Sequence, residues 1–497
     1  MSLNIATVLR EAAAAQPDRT CLVLGPRTVS YAEVDTESAR LAAGVLSLGL
    51  ERGDAVAVQL ANSADFVFAY FGLMRAGLVM VPMNPLLRER EVAHLLADSG
   101  ARALLTGSPH LDEVAAAAGD LPVFVAGSGP VPEGCRSLTE LYADEPFRDV
   151  VPTSSEDTAV LLYTSGTTGR PKGAELTHLQ LVFNSINSGA LFGFGPDDVS
   201  LAVVPFFHVY GLSLIGVAVR YVSTITVMER FDAAAAVEAM ERDGVSIMFG
   251  VPTMYHALLQ QDTSGRDLSR FRLAVSGGAA IPGEILREVE ERYGVLLLEG
   301  YGLSESCATA TFNRSFEDRR FLSIGKPIWG VEVVVVDGDG RRLPRGAEHV
   351  GELVVRGHNV MKGYRNNPEA TAEALRDGWL HTGDLGYEDE DGYLFVVDRL
   401  KDLVIRGGYN VYPREIEEVL YAHPAISEAA VIGRPDDRLG EEVVAVVVLR
   451  PGAEATEADV IAFCKARLAA YKYPREVRLV PDLPKGSTGK ILKKELR

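Results

Sequence analysis

Between residues 54 and 277 the chain repeats one pattern: a short, almost wholly apolar run, a turn carrying glycine or proline, and a stretch of helical length. DAVAVQL (54–60), GLVMVPM (77–83) and ARALLTG (101–107) open the series. TAVLLYT (158–164), VSLAVVP (199–205), STITVM (223–228), VSIMFG (245–250) and RLAVSG (272–277) continue it. Unbroken apolar runs of this length, alternating with helices, predict parallel strands covered on both faces. Ligands of such sheets gather beyond the carboxyl ends of the strands, so the turns are where chemistry is expected.

After about residue 320 the style changes to strands broken by Gly/Asp turns, as in VEVVVVDGDG (331–340) and GELVVRG (351–357), which predicts a β-rich subdomain. Beyond GYLFVVD (392–398), the segment DRLKDLVIRGGYN mixes charge with glycine, and a compact unit of about 95 residues follows. It holds a helix starting near Pro413, the strands SEAAVIG and EEVVAVVVLR, and a helix with Thr456 placed as its N-cap. The expected fold is therefore α/β. A large multilayer domain (1–398) combines parallel α/β sheets with the β-rich subdomain, and a small α+β domain (399–497) follows a boundary near 398–402.

Composition narrows the function. The 497 residues are 47% hydrophobic and 24% charged, as in ordinary globular proteins. Acidic residues outnumber basic ones 68 to 49, and the net charge of −19 argues against a general nucleic-acid binder. FVFAYFGLMRAGLVMVP (66–82) is barely long enough to span a bilayer and carries Arg75 at its middle, so a buried helix running into a short strand is expected instead. The N-terminus has no charged region followed by an apolar core, and Cys21, Cys135, Cys307 and Cys464 have no metal-like or disulfide-like spacing. A cytoplasmic chain with reduced thiols is expected, as a monomer or homodimer. Of ten lysines, Lys172 is alone in the first 300 residues, while seven fall in the last 97. A lone lysine among many arginines marks a place that needs a compact ammonium, or arises by chance.

YTSGTTGRPKG (163–173) follows the run TAVLLYT. Its glycines let backbone N–H groups turn inward, its hydroxyls add donors and Lys172 adds charge, which is how a loop holds phosphates. It is not a G-x-x-x-x-G-K-[ST] loop, because Lys172 follows Pro171. GSTGK (486–490) fails too, with Ile491 in the Ser/Thr position. A kinase or ATPase of that class is disfavoured.

YTSGTTGRPKG, EGYGLSE (299–305), HTGD (381–384), DRLKDLVIRGG (398–408) and PKGSTGK (484–490) occur in the order and spacing of the adenylate-forming enzymes. The resemblance covers essentially the whole chain. PFFHVYGL (205–212) and the C-terminal DLPKGSTGKILKKELR look most like acyl-CoA synthetases of the fatty-acid or 4-coumarate type. The resemblance implies two half-reactions, formation of an acyl-adenylate from a carboxylic acid and MgATP, then transfer to the thiol of coenzyme A. A carrier-protein thiol or another nucleophile is the alternative acceptor. By the same resemblance Thr164, Ser165, Gly166, Thr167 and Lys172 hold phosphates, Tyr301 lies against adenine, and Ser304 lies near the α-phosphate. Glu305 carries Mg²⁺, Asp384 accepts from the ribose hydroxyls, and Arg399 donates to them or to phosphate. Lys490 bridges carboxylate and α-phosphate, and His208 gates access beside the carboxylate. Lys401 is the implied hinge on which the small domain swings, replacing Lys490 by Gly407 and Gly408 along the pantetheine path.

The implied acyl pocket is lined by His208, Val209 and Tyr210, then Gly250, Val251 and Tyr255, with Ser276 to Ala280, including Gly277 and Gly278, and Gly300 to Gly302 forming the rest. No lysine or arginine lies in PFFHVYG, FGVPTMYHALL or SGGAAI, which argues against an acid with a second charge. Medium-chain fatty acids and aryl acids both fit. Each site residue also has a plainer reading. HTGD is a common turn, Glu305 could cap a helix, His208 could close a strand, Gly407-Gly408 could be a hairpin turn, and Lys490 could be part of a solvated basic tail.

Overall fold

The computed structural model describes residues 3–165, 170–315 and 317–497. Among these residues the strands form four sheets. The apolar runs read from the sequence become strands Ala55–Gln59, Val79–Pro82 and Ala101–Thr106, paired in parallel within a seven-stranded sheet. Val199–Ala202, Thr224–Val227, Ile247–Gly250, Leu273–Ser276 and Leu296–Tyr301 pair in parallel within a nine-stranded sheet. Strands such as Ala55–Gln59 and Ile247–Gly250 are buried at every position, because helices cover both faces.

The apolar stretch at 66–82 is the buried helix Ala64–Arg75 followed by strand Val79–Pro82. Ser63 caps the helix by accepting from the Phe66 N–H at 3.2 Å. Arg75, only 1% exposed, is neutralised by Asp35 and donates to the Arg148 carbonyl at 3.1 Å. A buried guanidinium is tolerated only with such partners. No helix among the described residues is long and apolar enough to cross a membrane. Cys21, Cys307 and Cys464 are buried and Cys135 is half-buried, all as free thiols.

The β-rich region is a five-stranded sheet in which Val331–Val336, Gly351–Gly357 and Trp379–Glu388 run antiparallel, and Leu394–Arg399 pairs with the last of these. The next strand, Val404–Arg406, belongs to a different sheet with Tyr409–Val411, Ile426–Asp436, Gly440–Leu449 and Glu476–Leu479. This last sheet has its own core, in which Val404, Ile416, Leu420, Val431, Ala445 and Cys464 pack together. Thr456 caps helix Glu457–Lys465, its Oγ1 accepting from the Asp459 N–H at 3.2 Å while Asp459 accepts from the Thr456 N–H at 2.9 Å.

Candidate active site

A cleft of about 1000 Å³ opens beyond the carboxyl ends of the nine-stranded sheet, where the parallel topology placed the expected chemistry. Residues from positions 82 to 490 of the chain line it, including Thr164, Lys172, His208, Tyr210, Tyr301, Ser304, Glu305, Asp384, Arg399, Lys401 and Lys490.

The phosphate-type loop is a hairpin rather than a strand-to-helix turn. Thr158–Ser165 pairs antiparallel with Pro171–Thr177, and Thr164 lies opposite Lys172. Gly166 and Thr167, with the side chain of Ser165, lie outside the described residues. Thr164 Oγ1 donates to Glu305 Oε1 at 3.0 Å, and Tyr364 Oη donates to the same oxygen at 2.9 Å. Lys172 Nζ stands 5.3 Å from the centre of the Tyr364 ring, and among the described residues no carboxylate pairs with it. The paired strands, Glu305 and Tyr364 thus form one end of the cleft. Glu305 sits in the single 3₁₀ turn Ser304–Ser306, so it is presented to the cleft and does not cap an α-helix.

Strand Leu296–Tyr301 delivers Tyr301 to the opposite wall. Its hydroxyl donates to Asp384 Oδ2 at 2.7 Å, and Arg399 Nε stands 3.0 Å from Asp384 Oδ1. Asp384 and Arg399 face each other across paired strands, which fixes the pair in register. The turn before Asp384 is held by Glu352, whose Oε1 accepts from the Gly383 N–H at 2.9 Å and whose Oε2 lies 2.7 Å from His381 Nδ1. HTGD is thus a turn, but one pinned against the cleft.

Lys490 enters from the far end of the chain on a loop docked to the large domain, where Thr253 Oγ1 donates to the Gly489 carbonyl at 3.0 Å. Burial, then the neighbouring Arg399 and Lys401, push its ammonium down to about 8 against the pull of Asp384 and Asp402. Among the described residues no carboxylate is within ion-pair range of its Nζ. It is a cation held ready inside the cleft, not part of a solvated tail. His208 caps helix Val209–Arg220, its Nδ1 accepting from the Tyr210 N–H at 3.3 Å. The neutral ring therefore carries its proton on Nε2. Burial and then Lys490 push the ring down to about 4, so it stays neutral at ordinary pH.

The remaining wall is aromatic and hydroxylic. Phe192, Phe249 and Phe312 pack edge to face at 4.7 to 5.5 Å, and Tyr210 meets Phe249 at 5.9 Å. Tyr210 Oη is pinned to the Val275 carbonyl at 3.0 Å, which sets its ring against Gly277. Val251, Gly277, Gly278 and Gly302 line this part of the cleft. A Cβ on Gly302 would lie 1.9 Å from the Ala308 carbonyl oxygen, so only glycine fits. Ser213 and Thr309 add hydroxyls to the wall, while the Ser276 side chain is fully buried and, like its register partner Gly250, turned to the Tyr255 side of the sheet.

Two expected pocket residues are misplaced. Gly250 ends its strand facing the Tyr255 ring and the Met248 methyl, and does not line the cleft. Tyr255 is 1% exposed and donates to the Met248 and Val275 carbonyls behind the wall. Strand alternation explains Gly250, since one residue's shift turns a side chain to the other face, while Tyr255 stands on helix Pro252–Leu259, which packs on that other face. Gly407 and Gly408, with φ of +59° and +82°, form the turn between Val404–Arg406 and Tyr409–Val411, outside the cleft. Tyr364 and Glu352 escaped the sequence reading. Neither belongs to a recognisable spacing, and only the fold brings Tyr364 to a loop some 200 residues away.

Residues 9–365 match the AMP-binding enzyme family and residues 415–490 match the AMP-binding enzyme C-terminal domain. A feruloyl-CoA synthase of Amycolatopsis sp is 39% identical over 485 residues, covering 97% of this chain and 96% of that protein. A long-chain-fatty-acid–CoA ligase of Bacillus subtilis (strain 168) is 35% identical over 527 residues, covering 99% and 94%. Among solved structures, the anthranilate CoA ligase AuaEII in complex with anthranoyl-AMP superposes with a TM-score of 0.94 at 29% identity, covering 100% of this chain and 97% of that one.

Proposed function

The chain belongs to the AMP-binding enzyme family and is an AMP-forming acyl-CoA synthetase, and on that premise we propose that its cleft activates an aryl carboxylic acid bearing a hydrogen-bonding ring substituent. In the first step a carboxylate oxygen attacks the α-phosphorus of ATP and pyrophosphate leaves, giving acyl-adenylate. In the second the sulfur of coenzyme A attacks the acyl carbonyl, the thiol proton is lost, and the carbonyl carbon's bond to the AMP oxygen breaks.

The first step brings anions together, so its barrier falls where fixed cations and donors meet the developing charge. Lys490 spans the attacking carboxylate and the α-phosphate, and its ammonium inside the cleft, without a carboxylate partner among the described residues, is the observation that carries adenylation. Thr164 and Lys172, with Ser165, Gly166 and Thr167, hold the outer phosphates, and Ser304 lies by the α-phosphate. Tyr301 flanks adenine; Asp384 and Arg399, already paired, accept from and donate to the ribose. His208 offers its Nε2–H to the carboxylate. Glu305, its Oε1 held by two hydroxyls, suits Mg²⁺, which favours one protein carboxylate plus phosphate oxygens. When bound, that ion neutralises phosphate charge.

For the second step the small domain, residues 399–497, turns about Lys401, withdrawing Lys490 and bringing Gly407 and Gly408 to the cleft. Two successive glycines with left-handed backbone leave room for a pantetheine arm.

The ring preference rests on the wall. Aromatic side chains offer faces and edges to an aryl group. The Ser213 and Thr309 hydroxyls on the same wall can meet a ring hydroxyl or ether, a partner that a saturated chain does not offer. A medium-chain fatty acid is the second reading, favoured by the absence of any charge on that wall. The test compares kcat/KM for hydroxylated aryl acids with that for straight-chain acids of equal length. A preference for the straight-chain acids overturns the aryl reading.

A further inference from the structure

Helix Gly283–Tyr293 of the large domain begins after Pro282, which supplies no side-chain cap. Its cap comes from the other domain, for Glu418 Oε2 accepts from the Gly283 N–H at 3.2 Å. Three residues further along the same small-domain helix, Pro413–Tyr421, Tyr421 packs at once against the small domain's core and against the large-domain core built around Met240, Leu258 and Ile285. Arg450 reaches Glu288 at 3.7 Å on the rim of the contact. These contacts share an interface with the Thr253–Gly489 hydrogen bond that seats the Lys490 loop.

We propose that Glu418 and Tyr421 are positioning residues, a latch that holds the small domain in the pose where Lys490 enters the cleft. This rests on the two-pose reading of the preceding section. Neither residue lines the cleft, so neither touches substrate. Undocking the small domain strips a helix N-terminus of its carboxylate and exposes one side of Tyr421, so both contacts favour the docked pose and neither favours the other. The latch therefore sets the fraction of molecules able to adenylate, and its loss leaves thioester formation free to proceed.

The test uses the full-length enzyme with Glu418→Ala, Glu418→Gln and Arg450→Ala, each assayed in the two half-reactions separately. Adenylation is read as acid-dependent pyrophosphate release, and thioester formation from supplied acyl-adenylate and coenzyme A. Glu418→Ala should slow adenylation by roughly ten-fold while thioester formation is unchanged or faster. Glu418→Gln, which keeps an acceptor for the Gly283 N–H, should recover part of the loss, and Arg450→Ala should shift adenylation by about two-fold in the same direction. Equal loss in both half-reactions, or no loss in either, overturns the latch. Lys490→Ala is measured in parallel. If it separates the half-reactions and Glu418→Ala does not, the latch alone is wrong; if Lys490→Ala does not separate them, the two-pose reading falls and the latch with it. An unchanged melting temperature for Arg450→Ala keeps the comparison clear of misfolding.

Discussion

At the nucleotide end of the cleft the acidic side chains are fixed by partners: Asp384 between Tyr301 and Arg399, Glu305 between Thr164 and Tyr364. At the acyl end the wall is rings and small hydroxyls, with no lysine or arginine among its described residues. The first end is preorganised for charges that every adenylation shares. The second is a shape with a few polar points, and shape discriminates acids only by modest energies. Changes at the two ends should therefore differ in kind: the first should alter rate for all acids, the second should alter which acid is used.

The largest effect is expected from Lys490→Ala. Pyrophosphate release should fall by roughly a thousand-fold, in line with loss of a preorganised transition-state contact. Glu305→Gln removes the charge while its hydroxyl partners remain, and should cost roughly a hundred-fold at low Mg²⁺, with partial recovery at high Mg²⁺. A loss that added Mg²⁺ leaves unchanged would assign Glu305 to structure.

The pH profile comes next. Lys490 acts as a cation, and burial first, then Arg399 and Lys401, bring it down to about 8. Activity that needs the protonated form is full below that pH and declines above it, so kcat/KM for adenylation should fall up to ten-fold per pH unit beyond about 8. Bound ATP favours the cation, so the limb in kcat should lie higher. Lys490→Arg, slower throughout, should lose the limb. His208, near 4, should contribute no inflection between pH 5 and 7.

The smallest effect belongs to the acyl end. Ser213→Ala should reduce kcat/KM for acids with a ring hydroxyl by about ten-fold, and leave unsubstituted acids within two-fold. Equal loss for both acids would make Ser213 a packing residue.

The same contrast governs what could be read from the sequence. Parallel layers followed from apolar runs buried on both faces, and Thr164, Glu305, Asp384, Arg399 and Lys490 stood out because their motifs keep fixed order and spacing. Lys172 was marked by isolation, the lone lysine of the first 300 residues. Long-range packing left no such trace. Tyr364 and Glu352 act on residues distant in the chain, and the Pro171–Thr177 strand was hidden behind its proline, which a strand accepts only at its first residue, at an edge or at a bulge. Gly250 was misplaced because its wall is decided by strand alternation, not by residue type.

The central claim is tested most directly by incubating the wild-type enzyme with ATP, Mg²⁺ and a hydroxylated aryl acid, first without and then with coenzyme A, and weighing the products by mass spectrometry. The expected result is an enzyme-held aryl-adenylate in the first arm, converted to aryl-CoA and AMP in the second. Absence of adenylate with every acid tried, or an adenylate that coenzyme A leaves untouched, would contradict it.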